Sequence, residues 1–291
     1  MYTRDSVNPC PDWATALLNG FSQVLLLRNP LCGLCCLLAI LFSAPQLVGG
    51  ALLGALAGLL TAQGRGYPRS DRQAGLYGYN GVLIGLLMSA ALPWTVILPA
   101  AILAAGGLSS LLTHHWRRRG GARLTVYTAP FVLLGWATLA IAPLAPGLEA
   151  EGNSVHGVLR GLAQVFVLDT PLAGALIALG LLIAHPYAGL WALLGSTLGG
   201  GAALLAGHGE AAAMGLYGFN SALAALAFSR QGERPHKTLL AILLALLVQA
   251  LFARAALPAL TAPFVIACWL MHLGEYLTPL GRRRGAPRLH G

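Results

Sequence analysis

The chain is one unit written twice. Gly75-Leu76-Tyr77-Gly78-Tyr79-Asn80 returns as Gly215-Leu216-Tyr217-Gly218-Phe219-Asn220, 140 positions later. Gln23-Val24 returns as Gln164-Val165, Pro30 as Pro171, Pro45 as Pro186, Gly54 as Gly195, and Thr128-Ala129-Pro130-Phe131 as Thr261-Ala262-Pro263-Phe264. All pairs keep the same order, with offsets between 133 and 141. The halves run over 12–143 and 157–280, with 144–156 as the junction. Whatever structure one half forms, the other has to form a close copy of it.

The solvent of that structure follows from charge. Only 9% of residues are charged and 57% are hydrophobic, against about 25% charged in ordinary soluble domains. Residues 73–116, 124–148, 170–209 and 238–253 carry no Asp, Glu, Lys or Arg. Such a surface suits hydrocarbon, not water. The net charge of +9 does not signal a nucleic-acid partner, because the basic residues sit in short clusters between apolar runs, such as Arg117, Arg118 and Arg119. That is the loop bias of a membrane protein. The odd cysteine count, five, makes no disulfide framework. Cys32, Cys35 and Cys36 read as small helix-packing residues and not as a metal site. The first twenty residues lack the pattern of a cleavable signal peptide.

Each half contains six apolar segments: roughly 12–28, 30–43, 45–62, 74–91, 93–114 and 124–142, then 157–169, 171–184, 186–207, 214–229, 238–255 and 258–278. The first of each set is broken by polar residues and ends in Arg28-Asn29-Pro30 or Asp169-Thr170-Pro171, which predicts a re-entrant half-helix. Five crossings remain per half. An odd number sends the second half into the membrane from the opposite side, so the fold expected is an all-α polytopic membrane protein of two inverted repeats. With the N-terminus inside, the loops near 63–73, 115–123 and 230–237, the C-terminal tail and Arg4 hold fifteen of the eighteen Lys and Arg on one side. The junction with Glu149 and Glu151 then falls outside, and both termini are cytoplasmic.

The uncharged spans argue for passive passage of a neutral solute, since a coupled carrier usually buries an acid or base for its ion. The polar residues that remain recur at matching places. Gln23 and Gln164 lie in the half-helices, Asn80 and Asn220 at the heads of matching helices, and Thr128 and Thr261 two residues before Pro130 and Pro263. A proline break leaves backbone carbonyls free, and such backbone is tolerated at membrane depth only in protein or beside a wet cavity. Amide, hydroxyl and carbonyl oxygens together suit a planar solute rich in N–H. Each member also has a plain structural reading. Thr before Pro patches a helix kink, Asn at a helix head caps it, and Gln in an apolar helix bonds a neighbour. The stripes Tyr79–Leu83 and Phe219–Leu223, spaced i, i+4, fit a core as well as a pore. His114-His115 cannot face one lumen together, because adjacent helical residues point about 100° apart, and they read as a solvated face at the basic rim.

At these residues the chain resembles the urea transporter family. The resemblance covers about 12–271. The family signature Leu-Pro-x-x-Thr-x-Pro-Phe is met completely from Leu257 to Phe264, and once-broken from Leu124 to Phe131, where Thr125 replaces the proline. The Gly-Leu-Tyr-Gly-aromatic-Asn motif and the Gln-Val pairs after Gly20 and Gly161 are also similar to the family. The resemblance implies a homotrimer in membrane lipid, with a urea pore in each subunit walled by apolar side chains and lined by two ladders of oxygens. By carry-over, Gln23 and Gln164 join the ladders, and Thr128 and Thr261 stand at the constriction. Tyr79, Leu83 and Leu26, with Phe219, Leu223 and Val167, line the walls. Asn80, Asn220, Pro130, Pro263, Phe131 and Phe264 support the pore. Gln164 stands where an acid is common and Leu26 where an aromatic is common, so short amides are expected to pass more easily. The runner-up is a channel for another neutral solute, such as ammonia, a short amide or water. With no paired acids, HExxH or GxSxG in the sequence, neither an enzyme, a cofactor nor a metal is expected. The expected location is a bacterial inner (plasma) membrane.

Overall fold

A computed structural model describes residues 12–120, 124–142, 154–229 and 234–277. Arg4, Cys10, Arg123, Arg230, most of the 144–156 junction with its two glutamates, and the arginines from 282 onward lie outside the described residues. So do the expected half boundaries at 143 and 280. Every regular element among the described residues is a helix, and the order repeats. The first half has α1 (Asp12–Val24), α2 (Pro30–Ser43), α3 (Pro45–Gly64), α4 (Arg69–Gln73), α5 (Tyr79–Ala91), α6 (Ile97–Arg119) and α7 (Ala129–Ile141). The second has α8 (Ser154–Gln164), α9 (Pro171–Ala184), α10 (Pro186–Leu205), α11 (Gly209–Ala213), α12 (Gly218–Phe228), α13 (Pro235–Arg254) and α14 (Ala262–Leu277).

Proline writes many of the starts. It costs nothing at a first turn, where its missing N–H would have no partner. Asn29 caps α2 by accepting from the Cys32 N–H at 3.0 Å, and Thr170 caps α9 by accepting from Ala173 at 3.2 Å. These cap–proline pairs are why α2 and α9 begin where the sequence places them, and Pro45 and Pro186, which disfavour helix at Ala44 and His185, are why they end there. Four helices, α3, α6, α10 and α13, are each long and apolar enough to span a membrane unaided, and six shorter apolar helices accompany them. The protein is therefore an integral membrane protein. Exposed Phe42, Leu204, Leu243, Leu247 and Leu251 are ordinary for a surface that meets lipid.

Close backbone contact holds each half together. A Cβ on Gly54 would lie 2.0 Å from the Gly81 carbonyl oxygen, and one on Gly85 2.0 Å from that of Gly50, so α3 and α5 meet main chain to main chain. This small-residue packing drives helix association where lipid removes the hydrophobic incentive. The halves join where α2 packs on α9, with Gly180 against Cys32 and Cys35. Cys32 and Cys36 are buried there, as the packing reading expects.

The structure moves several expected boundaries. The first segments stop as helix at Val24 and Gln164, short of 28 and 169, because Leu26 and Val167 turn into the left-handed region (φ 60° and 58°). The segments drawn from 74 and 214 become helical only at Tyr79 and Gly218, after Gly75 and Gly215 turn with φ 79° and 75°. Helix α6 continues through Arg117, Arg118 and Arg119, which the sequence reading put in a loop.

Candidate functional site

Helices α1, with 13 residues, and α8, with 11, end inside the protein, where Val24 and Leu25, and Val165 and Phe166, are buried. Both are pinned by the glycine motif. A Cβ on Gly75 would fall 2.3 Å from the Asn19 backbone, and one on Gly215 2.3 Å from the Gly161 nitrogen. Only glycine supplies both the positive φ and that space. Side chains add to the anchor. Asn19 donates Nδ2 to the Gln73 carbonyl at 2.7 Å, and Arg160 donates to the carbonyls of Asp169 (2.9 Å) and Ala213 (3.1 Å). Gln164 donates Nε2 to the Met214 carbonyl at 3.3 Å.

Thr128 and Thr261 meet. Their hydroxyl oxygens lie 2.7 Å apart, and the residues are 0% and 3% exposed. The prolines do not kink helices here. Pro130 and Pro263 stand in the first turns of α7 and α14, two residues after the threonines. Thr128 is the N-cap of α7, yet it makes no side-chain cap; its hydroxyl lies against that of Thr261 instead. The cap comes from elsewhere. Asn80 on α5 accepts from the Phe131 N–H at 3.2 Å, and Asn220 on α12 accepts from the Phe264 N–H at 3.2 Å. The capping reading of the asparagines is right in chemistry but wrong in address, since each caps a neighbouring helix. Thr113 orients Asn80 (3.2 Å), and Gln249 orients Asn220 (2.8 Å).

The carbonyls before each proline, expected to be free, already hold donors. Trp136 donates its indole N–H to Pro258 at 2.8 Å, and Trp269 donates to Thr125 at 2.9 Å. Asn220 also donates to Leu260 at 3.0 Å, and the Tyr79 hydroxyl donates to Tyr127. Each carbonyl oxygen has a second lone pair, so acceptor capacity is halved and not lost. Tyr127 and Leu260, which precede the threonines, both have positive φ (41° and 44°). This strained backbone lies at matching places in the two halves, beside the threonine pair.

A cavity of about 520 Å³ opens beside this centre, with Gln23, Leu26, Tyr79 and Tyr127 in its lining and Arg117 also in its wall. A second, of about 380 Å³, includes Leu26, Arg28, His185 and Ser229. Leu26 borders both. Leu83 and Leu223 are fully buried, and Phe131 and Phe264 are buried beside the asparagine caps. Phe219 and Val167 are half-buried against the same core. His114 is not a solvated residue, because it stacks on Tyr67 at 3.6 Å and bonds the Tyr77 hydroxyl at 3.1 Å.

Several residues of the site escaped sequence reading. Trp136 and Trp269 stand 133 positions apart, the offset of the threonines, so the repeat carried that signal. Thr113 with Gln249, and Tyr127 with Leu260, are matched in place but not in chemistry. Tyr127 has a second anchor, its hydroxyl lying 2.8 Å from His272 Nε2.

The family model described as urea transporter matches residues 14–276. The chain belongs to the urea transporter family. Urea transporter 1 of Mus musculus is 30% identical over 247 residues, covering 74% of this chain and 62% of that protein. Urea transporter 1 of Ovis aries is 29% identical over 304 aligned positions, covering 90% of this chain and 76% of that protein. The match thus spans less than two thirds of the mouse relative's own length. The family is one of transporters, not of enzymes.

Proposed function

We propose that this protein conducts urea passively across the membrane, through a pore whose centre is the Thr128–Thr261 pair. The observation that carries the reading is this pair of buried, uncharged hydroxyls, 2.7 Å apart and framed by duplicated amides. A solute that parts them exchanges one hydroxyl–hydroxyl bond for two bonds of its own. Urea can donate four N–H bonds and accept at its oxygen, so it satisfies both threonines at once. The half-helices end toward this region with the negative ends of their dipoles, which favours an N–H donor. Residues 73–116, 124–148, 170–209 and 238–253 carry no Asp, Glu, Lys or Arg to bind a coupling ion. Leu26, aliphatic at the cavity wall, leaves room for short amides as secondary solutes.

The inverted arrangement belongs to the same proposal. Contacts between the halves are reciprocal: Trp136 reaches Pro258 as Trp269 reaches Thr125, and Thr128 reaches its own counterpart. Reciprocity of this kind is what a two-fold axis produces. With five crossings per half the axis lies in the membrane plane. Both termini are then cytoplasmic and the 144–156 junction external, in a plasma membrane and as a homotrimer with one pore per subunit. The test is urea uptake into proteoliposomes under imposed proton or sodium gradients. Flux set by the urea gradient alone supports the reading, and uptake that collapses with a protonophore at constant internal pH overturns it.

A further inference from the structure

We infer that the basic cavity between the C-terminal ends of α3 and α6 is a binding site for the phosphate headgroup of an anionic phospholipid. The cavity holds about 620 Å³ and lies outside the threonine site. Its charge comes from two helices. Arg65 follows α3, and Arg118 and Arg119 close α6, with His115 beside them. All four side chains are exposed. Among the described residues no carboxylate is paired with Arg65, Arg118 or Arg119, whereas Arg117 is held by Asp71 at 3.3 Å.

Topology alone does not account for this. The positive-inside bias asks for arginines at this end of the bundle but not for their convergence on one concavity. The helix ends do not supply the attraction either. Two C-termini contribute about half a negative charge each, against three full positive charges from the guanidinium groups. The lining is also layered as a lipid requires. Leu111 and Leu112 lie on α6 about two turns toward the membrane, below the arginines. Tyr67, stacked on His114, forms a rigid aromatic wall at the boundary. A headgroup phosphate placed among the arginines would leave its glycerol and chains against the leucines and the lipid beyond. Guanidinium groups suit such an anion because their forked donors match phosphate oxygens. Basic pockets between transmembrane helices on the cytoplasmic side bind anionic headgroups by these means, and this is the end the charge pattern assigns to the cytoplasm. The inference rests on the membrane setting and not on the pore.

The test uses the full chain, delipidated in detergent and titrated with phosphatidylglycerol, phosphatidylcholine or inorganic phosphate, with bound lipid counted by native mass spectrometry. The expected result is preferential retention of phosphatidylglycerol, lost in the triple variant Arg65→Gln, Arg118→Gln, Arg119→Gln. Each arginine is expected to contribute about fivefold in affinity, so the triple variant weakens binding roughly a hundredfold. The triple Lys variant should retain most of it, and Arg65→Gln alone, on a separate helix end, should show about the single-charge loss. Urea flux in the Gln variant should remain that of the wild type, which reports a folded protein. Equal retention of phosphatidylglycerol and phosphatidylcholine, unchanged binding in the Gln variants, or displacement of the lipid by millimolar inorganic phosphate would overturn the inference.

Discussion

Substituting the threonine pair separates transport from folding. In Thr128→Val the Thr261 hydroxyl loses its 2.7 Å partner at a position only 3% exposed. A buried hydroxyl left without a partner costs about 1–3 kcal/mol. The single variants should therefore unfold several degrees below the wild type. In the double variant both hydroxyls are gone and two methyl groups of similar shape meet, which is close to neutral for stability. Flux behaves differently. A urea molecule at this point has shed most of its water, and with valine on either side its amide finds no replacement there. If ~1.4 kcal/mol is lost at the barrier, flux falls roughly tenfold, and it falls in the double variant as well as in the singles. The assays are thermal unfolding in detergent and stopped-flow urea efflux from proteoliposomes. Stability restored in the double variant while flux stays low is the signature of a site used by the solute. Wild-type flux in the stable double variant would refute the reasoning and leave the pair as a packing contact.

Three further outcomes follow from the geometry. Asn220→Ala removes an acceptor from the Phe264 N–H and a donor from the Leu260 carbonyl, so it should lower the unfolding temperature more than Thr261→Val does. An unchanged midpoint would contradict the cap assigned to it. Gly215→Ala forces a Cβ to within 2.3 Å of Gly161 at a positive φ, and it should abolish or sharply reduce folded protein in membranes, while Gly200→Ala, which meets nothing within 4 Å, should be silent. His272→Leu releases the Tyr127 hydroxyl and should slow urea flux several-fold with little loss of folded protein, whereas His272→Gln, which can still bond that hydroxyl, should recover most of the flux. Equal flux in both would show that the anchor has no part in transport.

The repeat made the architecture legible. Matching prolines gave the bounds of α2 and α9, and the paired motifs gave the order of six of the seven helices in each half. What escaped was conformational or relational. A leucine and a β-branched valine in the left-handed region, Leu26 and Val167, run against propensity, so nothing in their identity announces the early ends of α1 and α8. Helices α4 and α11 have five residues each, too few to show a period. The sequence places the asparagines at helix heads, where a cap is expected, but which N–H they cap depends on how α5 meets α7 and α12 meets α14, and only packing decides that. Thr113 and Gln249 serve one role with unlike side chains, so the repeat conceals them.

The account's central claim is tested most directly by urea efflux from proteoliposomes holding the purified protein, with glycerol and ammonia measured in parallel and no ion gradient imposed. A channel centred on Thr128 and Thr261 predicts urea efflux far above that of protein-free vesicles, with glycerol at the protein-free rate. Urea efflux no faster than from protein-free vesicles, in protein shown to be folded, would contradict the claim.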